Sequence, residues 1–141
     1  MSIYFDTSFV VGLFVDTDTF ATGARAFYVE ADDVYVVSDF VAAEFASVIA
    51  RLTRMKRLPD EEAQAIFNRF DTWRARSAES EAASEFDIRT ATAIIRRLDL
   101  NIRAPDAINL AMAHRLGASI ATFDRRMADN ARALGITIAA S

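Results

Sequence analysis

APDAINLAMAHRLGASIATFDRR, residues Ala104 to Arg126, holds a helix, a turn and a strand that ends on an acid. Pro105 suits the first helical turn, where its missing N–H is not needed. Ala107, Ile108, Leu110, Ala111, Met112 and Ala113 cover most of the helix circumference, which predicts a buried helix. Gly117 closes it as a C-terminal cap. Ser119 to Phe123 is short, apolar and bounded by turn signals, the pattern of a strand buried on both faces. Asp106 then falls at the start of the helix and Asp124 at the end of the strand. Both are edges of an α/β layer, where ligands bind. Taken singly, Asp106 reads as a dipole-stabilised first-turn residue, and Asp124 as an N-cap.

The N-terminal stretch repeats the pattern. Ser2 to Phe5 reads as a buried strand ending at Asp6, and Thr7–Ser8 opens a short helix; Phe5-Asp6 is echoed by Phe123-Asp124. Asp16 to Glu30 has Phe20, Ala24, Phe27 and Tyr28 at helical spacing, with Gly23 as a weak point, and Val34 to Val37 reads as a second buried strand. Ser38 to Arg57 is the most informative helix. Val41, Phe45, Val48, Ile49 and Leu52 form one apolar stripe, and Glu44 projects from its edge. Glu44 lies beyond the first turn and cannot be a cap. A carboxylate facing inward needs a cation or strong hydrogen bonds, so a pairing arginine and a metal ion stand as the two readings. Arg51, Arg54, Lys56 and Arg57 gather at the far end. Cations there suit a helix C-terminus and could also hold phosphates.

Pro59 begins a helix with an apolar face of Ala63, Ile66, Phe67, Phe70 and Trp73, read as core or as a groove for a partner. Ser77 to Glu85, SAESEAASE, reads as a surface loop or frayed helix end. Phe86 to Leu98 is an amphipathic helix, a last helix ends near Gly135, and Ile136 to Ile138 adds an edge strand.

Strands alternating with helices predict one α/β domain spanning residues 1–141, a mostly parallel sheet with helices on both faces. Hydrophobic residues are 52% and charged residues 26% of the chain, a water-soluble globular balance. No cysteine is present, which excludes disulfides, thiolate zinc sites and cysteine nucleophiles. The one histidine, His114, falls mid-helix and reads as structural, so nucleophile–base triads have little to work with. There is no signal-peptide pattern and no apolar run near ~18 residues, so the cytoplasm is the expected location and no membrane partner is expected. Net charge is −4, which does not announce a polyanion binder, yet 15 of the 16 basic residues are arginine, the better fork for phosphate.

In such a sheet Asp6, Asp106 and Asp124 meet at one edge, with Glu44 reaching in from its helix. Close carboxylates repel by as much as ~4 kcal/mol per pair at an intermediate dielectric. A hard divalent cation removes that penalty, and Mg²⁺ or Mn²⁺ fits an all-oxygen ligand set. The matching chemistry is phosphodiester hydrolysis.

Asp6 after the first strand, Glu44 in SDFVAAEF, Asp106 in APDAINLA and Asp124 in ATFDRR resemble the acidic positions of PIN-domain nucleases. More narrowly, the chain is similar to VapC-type toxins of bacterial toxin–antitoxin pairs over essentially its whole length. That resemblance implies a PIN-like three-layer fold and a Mg²⁺-dependent endoribonuclease, a homodimer silenced by a cognate antitoxin protein. It also implies a supporting role for Ser8. One departure is Asn109, where similar proteins often carry histidine. Three other readings compete. A phospho-acceptor receiver domain would want an acid pair at the first strand and a lysine near the last, and neither is present. A DNA-directed nuclease would use the same acids. In a catalytically silent binding module they would be caps only.

Overall fold

The computed structural model describes all 141 residues. Its centre is β1 (Ser2–Phe5), where Ile3, Tyr4 and Phe5 are all buried. Successive strand residues point to opposite faces, so three buried in a row require cover on both. Tyr4 supplies one side: its hydroxyl reaches Asn109 and Met112 on α6 (Ala104–Arg115). Phe5 supplies the other, stacking on Phe9 of α1 (Thr7–Phe14) and on Trp73 of α4 (Asp60–Ser77). The layers are therefore helix, sheet, helix, as the alternating pattern predicts.

The strands β2 (Val34–Ser38), β3 (Glu79–Glu81), β4 (Ser119–Ala121) and β5 (Ile138–Ala140) join β1 in the order β3-β2-β1-β4-β5. Every pairing is parallel. The remaining helices are α2 (Ala21–Glu30), α3 (Asp39–Arg54), α5 (Glu85–Ile95) and α7 (Arg125–Ala133). Gly12 of α1 faces α2 so closely that a Cβ there would stand 3.0 Å from the Ala24 Cβ. Gly117 follows α6 at φ +61°, the left-handed cap read from the sequence.

Six elements differ from the sequence reading, among them α3, which stops at Arg54 rather than Arg57, and β4, which stops at Ala121 rather than Phe123 and so leaves Asp124 beyond the strand end. Glu79–Glu81 is a strand, although SAESEAASE has no apolar pattern, because it is an edge strand paired to Val36–Ser38 and exposed outward. Charged edges of this kind discourage pairing between molecules. α2 begins at Ala21, after turns that bond Asp18 N–H to Val15 and Ala21 N–H to Asp18. α5 begins at Glu85 behind a Ser84/Asp87 capping box and ends at Ile95, which leaves Leu98 94% exposed. β5 lies two residues further on, beside an irregular register at Ile120/Ala121.

The aromatic face of α4 belongs to the core. Phe70 is buried, and Trp73 packs against Phe5, Phe14, Tyr28 and Phe70 while its indole N–H donates to the Tyr28 hydroxyl at 3.0 Å. Phe67 and Trp73 are half-buried against that core, and Trp73 also lines a surface depression with Arg69 and Arg76.

Candidate active site

Chain order reverses between β1 and β4: from β1 the sheet grows through β2 and β3 on one side, through β4 and β5 on the other. In open parallel sheets the crevice beyond the carboxyl ends of strands at such a reversal is where ligands bind. Asp6 follows β1 directly, and Asp124 lies three residues beyond the end of β4. The two acids of the echoed Phe-Asp pattern therefore flank that crevice. Asp106 in the first turn of α6 and Glu44 on α3 join Asp124 around a depression of about 640 Å³ with no apolar lining residue. Asp6 sits beneath it, only 3% exposed.

Asp6 is held by three donors. Oδ1 accepts from the Ser8 hydroxyl at 2.7 Å and the Phe9 N–H at 2.9 Å, and Oδ2 accepts from the Thr122 hydroxyl. Burial pushes its carboxyl up to about 6, against the lowering effect of Thr122, Phe9 N–H and Ser8; Asp124 adds to the rise. Ser8 also accepts the Phe123 N–H at 2.9 Å, and Thr122 accepts the Asp124 N–H at 3.0 Å. These two hydroxyls thereby stitch the loop after β1 to the loop after β4. Ser8 and Thr122 hold the same carboxylate from two loops, and Thr122 is absent from the sequence reading. Thr122 is fully buried at the end of an apolar strand and carries no spacing signal of its own.

Glu44 has no arginine partner. Its Oε1 accepts from the Thr7 hydroxyl at 2.9 Å and from the Asn109 amide at 2.8 Å. Asn109 is 2% exposed, and its Oδ1 accepts from the Tyr4 hydroxyl at 2.7 Å. Since Tyr4 donates its one proton there, Ser38, at 2.7 Å, must donate to the Tyr4 oxygen. A run of buried hydrogen bonds, Ser38 to Tyr4 to Asn109 to Glu44, thus fixes one carboxylate oxygen and leaves Oε2 free. The ion-pair reading of Glu44 is not what the chain adopts.

The cap readings divide. Asp6 caps α1 through the Phe9 N–H, and Asp124 caps α7 by accepting the Met127 N–H at 3.1 Å. Asp106 makes no capping bond and lies in the first turn of α6, the dipole-stabilised place read from the sequence. Burial raises its carboxyl, and Asp124 and Glu44 raise it further, while Arg126 and Arg103 pull the other way. The four acids are electrostatically one group but do not close on one point, and no three of them form a ready coordination shell. The two capping bonds explain this, because each turns a carboxylate toward its own helix.

The cations at the end of α3 separate. Arg51 lines the acidic depression, together with Arg103, Arg125 and Arg126. Arg51 and Arg57 line a neighbouring groove of about 530 Å³ with Thr7, Ser8 and Phe20. Arg54 and Lys56 are exposed and line neither. Arg103, Arg125 and Arg126 went unremarked in the sequence reading; the available signal was their adjacency to Asp106 and Asp124 in IRAPD and FDRR.

Comparison with known proteins bears on the fold and the family. Among curated proteins no sequence matches. Among solved structures, the chain is similar to Mycobacterium tuberculosis VapC20, described as a sarcin-ricin loop cleaving toxin. The TM-score is 0.74 at 19% identity, covering 90% of this chain and 93% of that one. It is similar to a chain of VapBC2 from Rickettsia felis bound to a promoter DNA fragment, with TM-score 0.73, 14% identity and coverage of 100% and 99%. FitAcB from Neisseria gonorrhoeae gives TM-score 0.76 at 15% identity, with coverage of 96% and 95%. At these identities the likeness is one of fold. The family model for the PIN domain matches residues 3–133, a span that includes Asp6, Ser8, Glu44, Asp106, Asn109, Thr122 and Asp124. The chain belongs to the PIN-domain family.

Proposed function

We propose that this protein is a Mg²⁺-dependent endoribonuclease, the toxin of a type II toxin–antitoxin pair. The observation that carries the reading is the Glu44 carboxylate. It is held beside Asp106 by the neutral donors Thr7 and Asn109, with no cation spent on it. Held by neutral donors through Oε1, the carboxylate keeps Oε2 open to a cation.

The donor set fits a hard cation. Every candidate ligand atom is a carboxylate oxygen, and each acid keeps capacity beyond its present bonds. Glu44 Oε2 and Asp124 Oδ2 accept nothing, Asp106 caps nothing, and Asp6 Oδ2 has one donor against the two on Oδ1. Asp6, Glu44, Asp106 and Asp124 would hold Mg²⁺, or Mn²⁺ in its place. A bound ion of this kind would supply a polarised phosphate and a water of lowered pKa. The protein's own part is positioning. Thr7 and Asn109 fix Glu44, Ser8 and Thr122 fix Asp6, and the rim arginines Arg51, Arg103, Arg125 and Arg126 draw a phosphate onto an otherwise acidic floor.

RNA as substrate, a cognate antitoxin as inhibitor and a homodimer as the working assembly belong to the same proposal. Their support is the fold likeness to VapC20, described as a sarcin-ricin loop cleaving toxin, and to a chain of the VapBC2 assembly. Such a toxin would act in the cytoplasm, and no helix of the chain is long and apolar enough to cross a membrane. The test is cleavage of labelled single-stranded RNA, single-stranded DNA and duplex DNA, each with Mg²⁺ and with chelator. Metal-dependent cutting of RNA alone supports the proposal. Cutting of DNA alone would make it a DNA-directed nuclease, and no cutting with any metal would make it a silent module.

A further inference from the structure

Three phenylalanine rings form a ladder from the core to the surface beside the acids. Phe9 is fully buried, and its ring stacks on Phe123 at 5.3 Å between centroids with 8° between planes. Phe123 in turn stacks on Phe20 at 4.7 Å with 1° between planes. Phe20 is the outer rung and remains 44% exposed.

The ladder is tied to the candidate active site at its middle rung. Phe123 immediately precedes Asp124, and its N–H is bonded to Ser8, which holds Asp6. The outer rung is fixed at its backbone: the Phe20 N–H donates to Asp18 at 3.0 Å, and its carbonyl accepts the Ala24 N–H at 2.9 Å at the start of α2. A large apolar ring is thus presented rigidly at a turn, with one face already stacked.

Phe20 also stands between two depressions. On one side it shares the groove that holds Arg51 and Arg57. On the other it shares a depression of about 420 Å³ with Asp124, Arg125 and Arg132. Apolar floor under one ring, with arginines on either hand, is the composition of a site for a nucleobase and its flanking phosphates. A protein–protein contact would instead want an exposed contiguous apolar patch; the groove's other apolar residues, Val11, Val15, Val48, Leu52 and Leu58, are buried or half-buried, and the exposed neighbours of the ring are Thr17, Thr19 and Asp129.

We propose that Phe20 is a stacking platform for one unpaired nucleobase of the RNA strand, adjacent to the phosphate held at the four acids. This rests on the nuclease reading and adds to it the form of the substrate. A base inside a duplex has both faces covered, so the platform accepts only a looped-out or single-stranded nucleotide.

The test uses the full chain in chelator, a short single-stranded oligoribonucleotide carrying 2-aminopurine, and the same sequence in duplex form. Stacking on a ring quenches the probe. The parent should bind the single strand with quenching and prefer it to the duplex. Phe20→Leu should weaken single-strand binding roughly ten- to a hundredfold and lose the quench, while Phe20→Tyr should keep both. Matching near-ultraviolet circular dichroism and melting curves establish that Phe20→Leu is folded; Phe20→Tyr carries the comparison if it is not. If the parent cuts RNA while Phe20→Leu binds and quenches as the parent does, the platform is wrong and the nuclease reading stands. A parent that neither binds nor cuts RNA overturns both. A change of sedimentation coefficient in Phe20→Leu, with RNA binding intact, would assign the ring to a contact between copies and overturn the platform.

Discussion

Asn109 donates its amide to Glu44 across 2.8 Å, joining α6 to α3 over 65 residues of sequence. The bond is the last of a buried run that begins at Ser38 and passes through Tyr4. Position 109 has a shape and polarity requirement that an apolar helix position would lack. The amide must donate outward to the carboxylate and accept inward from the phenol.

Asn109→Leu keeps the volume and removes both bonds, leaving Glu44 with Thr7 alone and the Tyr4 hydroxyl with Ser38 and the Met112 sulfur. Stability should fall by about 0.5–3 kcal/mol, the range for losing part-buried and buried hydrogen bonds. RNA cleavage should fall further, roughly 10–100-fold, because Glu44 is no longer fixed. Urea titration and single-turnover cleavage on the same samples separate the two effects. Loss of stability with cleavage intact would make the run a structural device only.

Asp6 gives a pH signature in the absence of metal. Its folded carboxyl is pushed up to about 6 from an ordinary 3.8. The folded state therefore holds this proton where the unfolded chain has released it. The associated stability is fully present below about pH 3.8 and is lost as pH rises through about 6. Asp106 is raised too and acts with the same sign. In chelator, Asp6→Asn should flatten this fall. Chemical denaturation at several pH values reads it directly, and parallel profiles for parent and variant would contradict it.

Asp87 works in the opposite direction. Burial raises its carboxyl, but hydrogen bonds from Arg115 and Ser84 outweigh burial and hold it below the ordinary value. Its stabilisation is present at neutral pH and is lost as pH falls through the lowered value. Asp87→Asn should cost about 2–4 kcal/mol at pH 7, because the fully buried partner of Arg115 loses its charge. A midpoint shift in neutral urea titration that disappears in acid is the expected outcome.

The arginines can be ranked by salt dependence. Arg51→Ala should lower the slope of log affinity for single-stranded RNA against log salt by about 0.7, one phosphate contact. Arg54→Ala should leave it unchanged, since Arg54 lines neither depression beside the acids. Equal slopes for the two variants would return both residues to the role of helix-end charges.

Much of this was legible in sequence because strand ends and helix starts are local. Pro105, Gly117 and the apolar run between them define α6, and an acid at either end needs only that boundary to be placed. Glu44 was legible for a different reason: it lies beyond any capping position at the edge of an inward stripe, and the structure leaves it half-buried with hydrogen-bond partners. What the sequence did not carry was the identity of that partner, because Thr7, Asn109 and Tyr4 lie on three elements and meet only when α6 packs over β1. The strand at Glu79–Glu81 was hidden likewise. It exists by pairing with β2, and residues exposed at an edge leave no period in the sequence.

The central claim is that four acids act as one metal-binding group, and Asp106 tests it most directly because it caps nothing. Asp106→Asn keeps the shape and removes one charge from the neighbourhood of Asp124 and Glu44. Melting temperatures of parent and variant should be measured at neutral pH in chelator and in Mg²⁺, with RNA cleavage alongside. The account predicts that the variant melts higher than the parent in chelator, because a repulsion is relieved. It also predicts that the variant loses most of the Mg²⁺-induced rise, which comes from binding to the folded state alone, and that cleavage falls steeply. Equal Mg²⁺-induced shifts in the two proteins would contradict the account and take Asp106 out of the site.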